Sequence, residues 1–180
     1  MSLSLRDVDQ HPKTVSSRKV IVGAMPRIYI TEHIQASPQA VWDLISDIRR
    51  GPEWVTVMLE VLNVSEGPIG KGSSYRELSK IGPSKSETEW TITEFNPPTV
   101  QVHESRGKEL QAVLTLRVEP DGEGARFTHQ TEYKMMPGFR PLGWLLETVF
   151  AHRMMKRAMS QSVKNAKQIL EASGSGPDHE

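Results

Sequence analysis

The sequence predicts one α+β domain, an antiparallel sheet with a long C-terminal helix, and three observations carry that prediction. Strand-like runs follow one another from residue 56 to residue 136 with only tight breaks between them. One amphipathic segment, residues 141–172, closes the chain with apolar residues at three- and four-residue steps. A first strand and a short helix precede both. Strand runs grouped apart from helices define the α+β class. Breaks this short make neighbouring strands antiparallel, because a parallel crossover needs about a dozen residues or more.

Each element has its own signal. Residues 27–35 alternate, with Ile28, Ile30 and Ile34 on one face. Ser37-Pro38 then suits a helix start, since serine caps and proline is tolerated in the first turn. Val41, Trp42, Leu44, Ile45 and Ile48 give that helix an apolar side, and Gly51-Pro52 is read as its stop. Further strands are expected over 56–65, 72–81, 85–95, 99–106, 109–119 and 125–136. Gly67-Pro68, Gly82-Pro83, Asn96-Pro97-Pro98, Arg106-Gly107 and Asp121-Gly122 separate them. On the final helix Leu145, Val149, His152, Met155, Met159, Val163, Ala166 and Leu170 form the stripe to be buried. Arg153, Lys156, Arg157, Lys164 and Lys167 lie opposite. That positive face reads as solvated, and it permits a weak contact with an anionic membrane surface.

Composition narrows the function classes. A chain of 180 residues can bury a sizeable core in one domain. It has no cysteine, which excludes disulfides and thiol chemistry. Its 22 Lys+Arg balance 22 Asp+Glu, an argument against a nucleic-acid partner. No apolar run reaches the ~18–20 residues of a membrane span; the longest, Leu142 to Phe150, is interrupted by Gly143 and Glu147. Met1 to Ser17 lacks the apolar stretch of a signal peptide. A soluble, cytoplasmic protein, monomeric or homodimeric, is expected. Residues 1–25 read as a mobile leader, 26–172 as the folded unit and 173–180 as a disordered tail.

The stretch Ile34 to Ile48, with Pro38, Val41, Trp42 and Asp47, followed by Gly51-Pro52-Glu53-Trp54, resembles the opening of the SRPBCC superfamily. That group includes START-like lipid-transfer domains, the birch-pollen-allergen type and the polyketide cyclase/dehydrase family. Gly70-Lys71-Gly72, Asn96-Pro97-Pro98 and Gly124-Ala125-Arg126 resemble its later turns. The resemblance implies a helix-grip fold, in which a seven-stranded curved sheet wraps the C-terminal helix and two short helices follow the first strand. It also implies a cavity between sheet and helix, and apolar enclosed space of that kind is a usual ligand site.

Strand parity nominates the cavity lining, because alternate side chains share a face. Glu32 goes inward with its isoleucine neighbours; Trp90 and Ile92 go in with Glu94; Val102 goes in with Val100 and Glu104. Leu114 accompanies Leu110, Ala112 and Leu116, while Phe127, His129, Thr131 and Tyr133 share the inner face of the last strand. Val149, His152, Met155 and Met159 face them from the helix. Trp42 and Trp54 are read as packing the short helices on the sheet. His129, His152, Tyr133 and Glu104 are the candidates for acid/base work, since histidine titrates near neutral pH and a buried carboxyl is pushed toward it.

Three functions remain open on these residues. One is binding of a hydrophobic small molecule such as a lipid, a polyketide or a quinone-like ring. Another is a cyclase/dehydrase-type enzyme using those groups. The third is an interaction module with a filled core. No metal site is expected, because His103-Glu104 lacks an HExxH partner and the six histidines are scattered. Gly67 to Ser73 lies between strands and lacks a phosphate-loop ending, so it reads as a hairpin turn and no cofactor is expected. The resemblance also implies loops at the cavity mouth, here 81–84, 105–108 and 135–139, each with a glycine at its turn.

Overall fold

In β1 (Arg27–Ile34) the isoleucines turn inward while Arg27, Tyr29, Thr31 and His33 stay exposed. The computed structural model describes residues 25–81, 84–107, 110–135 and 144–174. The expected leader, apart from Met25, lies outside the described residues. So do the end of the expected tail beyond Gly174 and most of the loops expected at 81–84 and 135–139. The side chains of residues 144–149, Val149 among them, are also outside that description.

Ser37 caps α1 (Pro38–Ser46), its hydroxyl accepting from the Ala40 N–H at 3.2 Å. Asp47 caps the 3₁₀ turn Ile48–Arg50 through Arg49 N–H at 3.0 Å. Gly51-Pro52 does not stop the helical region but opens a second short helix, α2 (Gly51–Trp54). Proline needs no partner for its missing N–H in a first turn, so the same dipeptide that reads as a stop can serve as a start.

Six strands follow: β2 (Met58–Leu62), β3 (Ser74–Ile81), β4 (Ser84–Asn96), β5 (Val100–Arg106), β6 (Leu110–Asp121) and β7 (Gly124–Met135). With β1 they form one antiparallel sheet in the order β1-β7-β6-β5-β4-β3-β2. The first two strands in sequence are therefore its two edges, and α1–α2 carry the chain between them. The sheet curves around α3 (Trp144–Gly174), as the helix-grip expectation required.

Apolar packing and a few polar ties seat α3. Met159, Val163 and Ala166 are buried against the sheet and against α1–α2. Ser162 Oγ accepts from Thr56 N–H at 2.9 Å, Lys167 donates to the His33 carbonyl at 2.8 Å, and Glu171 accepts from Gln35 N–H at 2.9 Å. The bonds to His33 and Gln35 tie the C-terminal half of the helix to the end of β1, and the bond to Thr56 ties it to the segment entering β2.

Strand parity holds on β1, β6 and β7 and fails on β4 and β5. A bulge between Ile92 and Glu94 inserts one residue, so Trp90 and Ile92 are buried but Glu94 turns outward and Phe95 inward, against Trp42. On β5 the buried inner residues are Gln101, His103 and Ser105. Val102 and Glu104 therefore belong to the outer face, where Glu104 pairs with Arg106 at 2.8 Å.

Candidate functional site

Cross-strand register builds the site floor. Ile92, His103, Leu114 and Thr131 lie opposite one another on β4, β5, β6 and β7. The adjacent row on the same face is Gln101, Leu116 and His129. Above them Met155, Ala158, Met159 and Ser162 present one face of α3, at the spacing that places helix residues on one side. Ile45, Ile48, Trp54 and Val55 close the end near α1–α2, and β3 contributes Glu77 beside Trp90 of β4. Between these walls lies a cavity of about 110 Å³.

Seven of the residues nominated by strand parity and helix spacing line it: Trp90, Leu114, Leu116, His129, Thr131, Met155 and Met159. Phe127 and Ile92 are fully buried in the core beside it. Glu32 is half-buried opposite Phe127 and takes no part in the lining. Val102 and Glu104 are on the other side of the sheet. Tyr133 and His152 form a pair of their own, the tyrosine hydroxyl 2.9 Å from His152 Nδ1 with the rings stacked. Tyr133 stands four residues beyond His129, about 13 Å along β7 at the usual rise. The four acid/base candidates therefore do not converge.

The structure brings other polar groups to the cavity. His103 accompanies its neighbour Tyr75, whose hydroxyl is 3.0 Å from His103 Nδ1. Burial lowers the pKa of His103 to about 4. His129, between Phe127 and Trp54, is also lowered to about 4, first by burial and then by His103. Both rings are neutral at pH 7. Burial raises the Tyr75 hydroxyl well above its usual range, with Glu77 adding to it. Glu77 itself is raised by burial, against which its bond from Ser79 Oγ at 2.7 Å and the nearby Trp90 indole act. The indole N–H nevertheless completes no hydrogen bond. Among the described residues no group of three or more histidine or acidic side chains is placed to hold a metal ion.

Sequence reasoning missed His103 because Val100 and Val102 suggested the opposite parity. A signal was present in the fact that Gln101, His103 and Ser105 also alternate. Glu77 was missed because the inner face of β3 carries Tyr75, Glu77 and Ser79, polar groups that imitate a solvent face.

A curved antiparallel sheet around one helix with an apolar cavity between them defines a helix-grip protein. The chain belongs to the family described as polyketide cyclase / dehydrase and lipid transport, whose model matches residues 25–171. An uncharacterized protein of Mycobacterium tuberculosis, Rv1546, is 22% identical over 146 residues, covering 81% of this chain and 99% of its own. The crystal structure of TTHA0849 from Thermus thermophilus superposes with a TM-score of 0.71 at 17% identity, covering 83% of this chain and 100% of that one. StfQ, a di-domain ARO/CYC from the steffimycin biosynthetic pathway, superposes with a TM-score of 0.65 at 14% identity. The alignment covers 83% of this chain and 52% of StfQ, about half the di-domain. At these identities the structures share the fold.

Proposed function

We propose that the protein binds a hydrophobic small molecule between the sheet and α3. One observation carries this reading: a cavity persists at the centre of the grip, walled by Trp54, Trp90, Leu114, Leu116, Met155 and Met159. Enclosed apolar space with a few polar groups is the usual form of a small-molecule site. The family description, with its lipid transport, supports the same reading. An interaction module needs no such space, so the cavity counts against it.

Native mass spectrometry of the protein purified from its own host tests the proposal. A co-purifying small molecule released on denaturation is expected. A protein that retains no small molecule, and takes up none from a hydrophobic panel, overturns it.

A second reading, a dehydratase- or cyclase-like enzyme, is favoured by Glu77, His103 and His129 in the cavity wall. A neutral imidazole can accept a proton and a carboxyl raised by burial can return one. StfQ, named as an ARO/CYC, lends this reading its fold neighbour. His129→Asn is the separating variant. Retained ligand binding with turnover lost supports an enzyme, whereas a His129 variant with unchanged turnover removes that residue from the chemistry.

A further inference from the structure

Helix α3 is fastened to one edge of the sheet differently from the other. Lys167 and Glu171 bond to the backbone at the end of β1, and His152 meets Tyr133 of β7. Toward β2 the bonds are those of Ser162 and Asn165 to Trp54 and Thr56. N-terminal of Ser162, no hydrogen bond or ion pair joins α3 to β2 or β3 among the described residues. Met155 and Ala158 lie in that stretch, and with Val57 and Met58 they line the cavity as half-buried side chains. The seam between α3 and the start of β2 therefore carries no directional bond that an entering molecule must break.

Two local features set Met58 at this seam. The first is a bulge in β2. Met58 pairs with Ser79 and Val61 with Glu77, so both share the inner face although they are three residues apart. Strict alternation would put Leu59 on that face in place of Met58. Leu59 is instead the extra residue of the bulge and stands outside, 44% exposed. Bulges commonly re-aim a side chain beside a site in this way.

The second feature is Gly51. Its backbone is ordinary right-handed helix, with φ −47° and ψ −47°, so conformation alone would admit any L residue except for the space required. A Cβ at Gly51 would run into the Met58 sulfur. The glycine thus forms the seat on which the Met58 thioether closes the space between α2 and β2.

Methionine is a chemically apt moving part. It is unbranched, has three rotatable bonds and repacks at little cost. A change of rotamer that lifts the thioether from Gly51 leaves the pairing of β2 with β3 and the bonds of α3 as they are.

We infer that Met58 gates a side entrance to the cavity, at the seam of α2, β2 and α3, and that small apolar molecules enter and leave there. The inference rests on the proposed binding function and adds the route to it.

Fluorobenzene is the probe, because a cavity of about 110 Å³ is on the scale of engineered apolar cavities of about 150 Å³ that take up benzene. Fluorine-19 lineshape titrations of the full-length protein give kon and koff. A residue that only walls the site changes affinity through koff and leaves kon nearly constant, whereas a gate changes both together. Met58→Ala takes the gate away and is expected to raise kon and koff by about tenfold each, with Kd held within about threefold. Met58→Leu keeps the bulk and loses the flexibility, so both rates are expected to fall.

An unchanged kon in the two variants overturns the gate and leaves the binding function standing. Failure of fluorobenzene to bind the parent protein overturns both. Should the alanine variant not fold, the leucine variant decides by the same comparison of kon.

Discussion

His103 and His129 are held in the core without charge, and that choice has a consequence for stability. Burial lowers both to about 4, against about 6.5 for an exposed histidine. Between these values the unfolded chain binds protons that the native chain refuses, so stability falls as pH drops from about 6.5 toward 4. Above pH 6.5 neither state binds the proton and the contribution is constant. Glu77 acts in the opposite sense. Its raised folded value means that the native state takes up a proton first, which favours folding as pH falls toward its unfolded value. Two histidines against one carboxyl should still give a net loss. Each histidine can contribute at most about 2 kcal/mol of destabilisation between pH 7 and pH 5. Urea denaturation at pH 7, 6 and 5 should show a falling midpoint, and His129→Leu should roughly halve the fall. A midpoint that does not change over that range would mean the histidines are not buried as neutral rings.

Gln101 shows a related economy at a single side chain. It is fully buried, and its amide N–H donates to the Ile45 carbonyl at 2.7 Å. That carbonyl belongs to the last turn of α1, where the helix cannot satisfy it. Gln101→Leu keeps the bulk and removes the donor, so a loss of about 1–3 kcal/mol is expected in chemical denaturation. A variant as stable as the parent would show that water reaches Ile45.

At the scale of elements, what could be read from the sequence depended on whether a signal was periodic or local. Strand β6 and the latter half of α3 were legible because Ala112, Leu116 and Val118 keep the even spacing of a strand face, Met159, Val163 and Ala166 keep the four- and three-residue spacing of a helix face, and all six are buried. Strand β4 is legible only up to Ile92, because a bulge adds one residue without any fixed residue type to mark it. Strand β5 misleads because its inner face is polar and only partly satisfied, Gln101 through its bond to α1 and His103 through Nδ1 to Tyr75. Apolar counting then selects Val100 and Val102. The site was half legible for the same reason: Trp90, Leu114, Met155 and Met159 followed from period and parity, whereas His103 and Glu77 required knowing which polar residues face inward.

Helix α1 illustrates a local signal that held. Nine residues are too few to be helical alone in water, yet this helix delivers Val41, Trp42, Leu44 and Ile45 to the core. Its cap bond from Ala40 to Ser37 Oγ therefore supports more than one turn. Ser37→Ala should cost about 1 kcal/mol by thermal or chemical unfolding, and Ser37→Asp should retain most of the stability. Equal stability of the alanine and aspartate variants would assign α1's position to packing alone.

The molecule as a whole joins a well-packed end to a loosely filled centre. Around α1, Trp54, Phe127 and Val163 the core is continuous and nearly sealed. Beside it, between Met155–Ser162 of α3 and the β5–β7 rows, about 110 Å³ is left unfilled. An empty space of this kind forgoes dispersion contacts and so lowers stability. A fold selected only for stability would fill it, and Ala158 gives a direct way to do so. Ala158 lines the space from α3, and leucine is a good helix former that adds three carbons at that point. Ala158→Leu should raise stability by about 1 kcal/mol, in the range of cavity-filling substitutions, while binding of a small hydrophobic probe such as a single-ring hydrocarbon falls at least tenfold. Thermal unfolding and a titration of that probe, run on the same sample, read both effects. If the leucine instead destabilises the protein and leaves binding unchanged, Ala158 does not border the ligand site. If both stability and binding rise, the space is a packing defect that the ligand does not share. Gain in one and loss in the other is what a cavity kept open for a ligand requires.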